Sequence, residues 1–328
     1  MQLLPDKGIQ VHAFMMDILL FVAGLTALYF GANWLVKGAA RLAISLNIQP
    51  VVVGLTVVAF GTSMPEFVVS FIGALKGLPD IALGNIVGSN IVNIGLILGL
   101  SAIIYPLSVH MKLVRFEIPF MVFAAVILFI VSIDGIISRI DSILFAAIFT
   151  AYIVYTIKVS KKESKRVKEE YKEFLQKKDS ITKDLILIAA GFAVLIAGAE
   201  ILVRAALSIA RAMGISELII GMTIVAVGTS LPELATSAVA VFKKEADISI
   251  GNIVGSNIFN ILFILGITGT IQPVAVNPEA LKLHMPVMIF ISLALFVFMK
   301  TSSATIGRLK GAALILMYAG YCGYIIVF

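Results

Sequence analysis

Apolar residues run along this chain in long unbroken stretches, separated by short polar intervals. A helix rises about 1.5 Å per residue, so about 20 apolar residues cross a bilayer's hydrocarbon core. Ten stretches of suitable length predict ten transmembrane helices, over residues 16–44, 50–75, 80–104, 115–133, 137–157, 183–212, 217–242, 248–271, 283–299 and 304–327. Barrel strands need only about 10 residues and alternate in polarity, which these stretches do not. The expected fold class is therefore an all-α polytopic membrane protein. One connection is long: residues 158–182 hold nine Lys or Arg and five acidic residues, and read as a solvated charged linker. It divides the chain into a first unit of five helices, 16–157, and a second, 183–327.

The two units repeat one another at an offset of 167. Residues 51–109 and 218–276 share 29 of 59 positions. The identities concentrate in GTSMPEF (61–67) against GTSLPEL (228–234), and in GNIVGSNIVN (84–93) against GNIVGSNIFN (251–260). Upstream, 24–40 parallels 191–207. Repeat members separated by an odd number of spans enter the membrane from opposite sides, so the pattern predicts an inverted-topology repeat, as in secondary transporters.

Composition agrees with that reading. Hydrophobic residues make up 60% of the chain and charged residues 13%, with mean hydropathy +1.07. Soluble domains are about 45–50% apolar and about 25% charged. The net charge of +6 needs no nucleic-acid partner. With 158–182 in the cytoplasm, Arg41, Lys112, Arg115, Lys243, Lys244, Lys300, Arg308 and Lys310 also fall inside. The positive-inside rule then places both termini outside. The expected location is a prokaryotic cell membrane, with the lipid bilayer and inorganic cations as partners. The N-terminus lacks a basic n-region and reads as a retained first helix. A single cysteine, Cys322, excludes a disulfide framework and a cysteine zinc site. No HExxH motif, nucleophile or resident cofactor is evident, so no enzyme is expected.

The repeated motifs carry the candidate chemistry. Pro65 and Pro232 lie within apolar stretches, where each removes a backbone donor and breaks the helix. Freed carbonyls in lipid must find partners. Beside each break stand Thr62, Ser63 and Glu66, or Thr229, Ser230 and Glu233. A carboxylate at mid-span costs at least about 2.5 kcal/mol on insertion scales, so two at matched depth mark a functional site. Packing kinks would explain the hydroxyls but not the glutamates. Asn85, Ser89 and Asn93 share one helical face, as do Asn252, Ser256 and Asn260, with Asn90 and Asn257 close by. The amides serve either as pore lining or as interhelical glue. All these donors are hard oxygens. Ca2+ takes six to eight at about 2.3–2.6 Å, and two carboxylates balance its charge; Na+ uses the same oxygen types. Glu200, opposite Asn33 in the other unit, could serve in gating or in an interhelical hydrogen bond.

GTS-x-PE followed by G-N-x-x-G-S-x-x-x-N, in two inverted copies, resembles the sodium/calcium exchangers of the calcium/cation antiporter superfamily over nearly the whole chain. The resemblance implies ten helices, with the second, third, seventh and eighth enclosing the ion sites and the first and sixth sliding across the other eight. By motif position it implies ligands Glu66, Thr62, Ser63, Ser89 and Asn93, with Glu233, Thr229, Ser230, Ser256 and Asn260, joined by the backbone carbonyls of Ala59 and Ala226. Some relatives carry Asp where this chain has Asn260. The expected function is a secondary antiporter exchanging Ca2+ for Na+ or H+ by alternating access. A passive cation channel lined by the same carboxylates is the alternative.

Overall fold

A computed structural model of the chain describes residues 7–46, 48–108, 111, 113–170, 181–213, 226–301 and 304–327. The described chain is mostly helical. We number the helices α1 (Lys7–Leu46), α2 (Pro50–Thr62), α3 (Met64–Leu75), α4 (Pro79–Ile104), α5 (Leu113–Val131) and α6 (Arg139–Glu170). The second unit supplies α7 (Ile181–Ala212), α8 (Ala226–Gly228), α9 (Leu231–Phe242), α10 (Ala246–Ile271), α11 (Ala280–Lys300) and α12 (Arg308–Val327). Among the described residues, seven helices are long and apolar enough to cross a membrane, or eight if the bent pair α2–α3 counts as one span. The predicted stretch 217–242 is described only from Ala226, and the middle of the linker lies outside the described residues. The linker's first part, to Glu170, continues α6 as helix.

Four two-residue strands cap the helix ends. Leu107–Ser108 (β1) pairs antiparallel with Thr305–Ile306 (β4), and Ile136–Ile137 (β2) with Val274–Ala275 (β3). Each pair ties one sequence unit to the other. The main apolar core joins both units around α4 and α10, including Ile86, Ile94, Leu98, Ile253, Ile258 and Leu265. Over their most hydropathic windows α4 is 78% and α10 89% buried, against 17% for α1, so the motif-bearing helices are central and α1 faces outward.

Helices α1 and α7 lie against each other in antiparallel register. A Cβ on Gly24, Gly31 or Gly38 would stand within 3 Å of Leu202, Leu195 or Ile188 respectively. Partner numbers fall by seven as the glycines rise by seven. Glycines at this spacing keep one face of the helix flat, so the backbones approach closely. The register is latched near both ends. Ser208 donates to Asp17 (2.5 Å), and Ser45 donates to Asp184 (3.4 Å).

Candidate cation site

The two proline breaks fold alike. Ser63 leaves the helical region at φ −82°, ψ 7°, and α3 restarts with Pro65 in its first turn, 47° away from α2. Ser230 does the same at φ −88°, ψ 8°, with Pro232 in the first turn of α9. Pro is tolerated there because the first turn's N–H groups lack helical partners. The break also places Glu66 and Glu233 in the first turn of a helix, where the macrodipole favours negative charge. Both glutamates are fully buried.

The carboxylates are held crosswise. Ser230 Oγ donates to Glu66 Oε1 (3.1 Å), and Ser63 Oγ donates to Glu233 Oε1 (3.1 Å). Each also accepts a longer bond from its own unit: Ser89 to Glu66 (3.5 Å) and Ser256 to Glu233 (3.4 Å). Every one of these contacts has its counterpart 167 residues away.

A second tier holds α4 and α10 to the broken helices. Asn85 Nδ2 donates to the Glu66 carbonyl (3.1 Å) and to Ser70 Oγ (2.9 Å), and its Oδ1 accepts from Thr229 (3.3 Å). Asn252 donates to Ser237 (3.4 Å) and accepts from Thr62 (3.0 Å). Ser70 and Ser237 are missed by the motif reading. They lie one turn beyond each glutamate and are identical in the two repeats, which is the signal that marks them.

The third tier is a ring of four amides between α4 and α10. Asn90 and Asn257 donate to each other's backbone carbonyls (3.4 and 3.3 Å). Asn93 Nδ2 donates to Asn257 Oδ1 and Asn260 Nδ2 to Asn90 Oδ1, both at 3.0 Å. Asn93 begins a π-helical stretch, Asn93–Leu98, and Asn260 lies in its counterpart, Phe259–Ile264. Such turns often occur at functional sites.

This arrangement leaves four buried oxygens with no protein partner: Glu66 Oε2, Glu233 Oε2, Asn93 Oδ1 and Asn260 Oδ1. An unsatisfied buried acceptor costs about 1–3 kcal/mol, more when charged. Four of them, in two matched pairs on the motif helices, are suited to a cation that needs oxygen ligands. The Ala59 carbonyl accepts the Ser63 N–H (3.0 Å) and a longer bond from Thr62 Oγ1 (3.4 Å). Near Ala226 the second break is tighter, with Ser230 N–H bonded to the Val227 carbonyl (3.1 Å). Thr229 is only partly buried. Among the described residues no cluster of three or more His, Cys, Asp or Glu forms, so the carboxylate pair stands without the soft donors that transition metals prefer.

Glu200 pairs within its own helix. Its carboxylate accepts from Arg204 at 2.6 Å, with both side chains mostly exposed. This i,i+4 pair corrects the expectation of an interhelical hydrogen bond for Glu200, and the side chain is exposed, away from the buried tiers. Two further polar pairs escape the motif reading. Tyr152 donates to buried Glu117 (2.6 Å), and Tyr321 bonds His284 Nδ1 (2.8 Å). Glu117 and His284 occupy matching repeat positions but differ in residue type, so identity between the units cannot reveal them.

These features define an integral membrane transporter built around a buried oxygen cluster. The sequence profile described as "Sodium/calcium exchanger protein" matches residues 16–158 and 183–327, and the chain belongs to that family. It is 36% identical over 304 residues to the putative antiporter CaxA of Alkalimonas amylolytica, covering 92% of this chain and 95% of that one. It is 31% identical over 342 residues to the sodium/calcium exchanger MaX1 of Methanosarcina acetivorans, covering 93% and 97%. The solved sodium-calcium exchanger NCX_Mj, soaked without Na+ and Ca2+, superposes with TM-score 0.82 at 32% identity over 95% of this chain and 99% of that one. Members of this family are transporters, not enzymes.

Proposed function

We propose that the chain exchanges Ca2+ for Na+ across a prokaryotic cell membrane by alternating access. Glu66 and Glu233 bind the cation. Thr62, Ser63, Ser89 and Asn93, with Thr229, Ser230, Ser256 and Asn260, complete its shell, joined by the carbonyls of Ala59 and Ala226. The observation that carries this reading is that Glu66, Glu233, Asn93 and Asn260, at matched repeat positions, each keep a buried oxygen without a protein partner. Both ions compete for the same oxygens, which couples their fluxes. The sodium/calcium exchanger MaX1 supports Na+ as the driving ion.

The chain has ten spans in two inverted units, 16–157 and 183–327. Its hydrogen bonds recur at an offset of 167, which supports this topology. Both termini lie outside and the 158–182 linker in the cytoplasm. Pro65 and Pro232 set the breaks. Asn85 and Asn252 hold the helices, and Asn90 and Asn257 hold the amide ring. The antiparallel pair α1–α7 moves as one body across the rest.

Proton coupling is the competing reading, because two glutamates could release Ca2+ by binding two protons. Ca2+ uptake into proteoliposomes should follow an imposed Na+ gradient at fixed, equal pH. Uptake that follows only a pH gradient would refute Na+ coupling. Uptake needing no counter-ion gradient would establish a channel instead.

A further inference from the structure

Two matched lysines share their local geometry but not their neighbours. Lys76 and Lys243 stand 167 residues apart and end α3 and α9 at φ −82°, ψ 3° and φ −85°, ψ 2°. A left-handed residue follows each, Gly77 at φ 70° and Lys244 at φ 62°, so the two turns are alike. Lys243 Nζ donates to the backbone carbonyl of Asn33 in α1 (3.1 Å). Lys76 is exposed, and the residue matching Asn33 in α7 is Glu200, held by Arg204 of its own helix. The helices differ in the same sense. α1 packs along α9, and Val239 of α9 is 7% exposed within the apolar cluster that α1 builds. α7 makes no comparable contact with α3, whose matching residue Ile72 is 42% exposed.

Two nearly identical sequence units in unlike settings imply two available arrangements. Exchanging them between the units turns the transporter to face the other way. In the exchanged state α7 packs on α3, and Lys76 reaches residue 200 as Lys243 now reaches residue 33. There it meets a carboxylate as well as a backbone carbonyl, and a hydrogen bond between two charged groups is stronger than one to a neutral oxygen.

We propose that Lys76 and Glu200 form an ion pair that latches α7 to α3 in the opposite-facing state. The proposal rests on the reading of alternating access by inverted units. Lys243 and the Asn33 carbonyl are the latch of the present state. Lys76, Lys243 and Glu200 are positioning residues, which touch no transported ion and set which side the α1–α7 body closes.

The test uses the full chain in proteoliposomes, with Lys76→Cys and Glu200→Cys on a Cys322→Ser background. A flexible bifunctional methanethiosulfonate should link the two cysteines during turnover. The link should stop Na+-driven Ca2+ uptake until a reductant cleaves it, and the reagent should leave uptake by each single-cysteine variant unchanged. No link, or a link that leaves uptake intact, would overturn the proposal. Absence of Na+-driven uptake in the wild-type chain would overturn the exchange reading instead. A charge cycle gives a second readout. Lys76→Met and Glu200→Gln should each slow uptake several-fold at unchanged thermal stability, and the double variant should be no slower than either. Arg204→Met should leave the rate unchanged. Equal slowing by Glu200→Gln and Arg204→Met, with none by Lys76→Met, would refute the latch.

Discussion

Gly31→Ala places a methyl group in the tightest part of the α1–α7 interface. Its Cβ would lie 2.7 Å from the Leu195 backbone nitrogen, 2.9 Å from Leu195 Cγ and 3.0 Å from the Gly191 carbonyl. Ordinary contact begins at 3.4 Å, so the helices must separate by about 0.7 Å. Two of the three opposing atoms are backbone and cannot rotate aside. A gap of about 0.5–1 Å forfeits a quarter to a half of the dispersion well for each contact it opens. The register unites α1 and α7 from Gly24 to Gly38, so the loss spreads over the whole face. Overpacking of this kind costs about 1–3 kcal/mol. The helix propensity of Ala over Gly returns about 0.8–1 kcal/mol. The matched control is Gly320→Ala in α12, where no atom lies within 4 Å of the added Cβ and only the propensity gain applies. Thermal unfolding of the purified protein in detergent should therefore show Gly31→Ala below wild type and Gly320→Ala at or above it. Equal stabilisation of both variants would refute close antiparallel packing of α1 on α7.

Two further substitutions probe the interior. Asn257→Ala removes the acceptor of Asn93 Nδ2, and Asn90→Ala does the same to Asn260, so each should cost about 1–3 kcal/mol of stability. Matched losses in thermal unfolding are expected, and a loss in only one would contradict the paired ring. Gly61→Ala directs a methyl group into the ring of Phe192. Ca2+ uptake should fall in that variant and recover in Gly61→Ala/Phe192→Ala. Failure to recover would show that the ring is not the obstacle.

How much of this was legible in the sequence follows from what each feature depends on. Apolar stretch length and a proline within it are local properties, so the seven or eight spans among the described residues and both helix breaks could be read directly. The glutamates were legible because a buried carboxylate in an apolar run has few structural uses. Identity at an offset of 167 picked out Ser89, Asn93, Ser256 and Asn260, but not the direction in which each amide donates. That direction depends on the facing helix. Asn90 and Asn257, ambiguous between pore lining and glue, hold each other's carbonyls because α4 and α10 meet at that level. The interhelical hydrogen bond expected of Glu200 failed for a related reason. Hydropathy alone cannot tell an inward charge from one paired with Arg204 on the outer face. The heptad of Gly24, Gly31 and Gly38 was present in the sequence, but its meaning required α7 as a partner.

The central claim is that one carboxylate from each unit binds the transported cation. Glu66→Gln and Glu233→Gln keep side-chain size and remove the charge. Radiolabelled Ca2+ uptake under an imposed Na+ gradient, measured for both variants beside wild type at equal reconstituted protein, tests it directly. Wild type should accumulate Ca2+, and each variant should fall to the level of protein-free liposomes. Wild-type uptake in either variant would contradict the account.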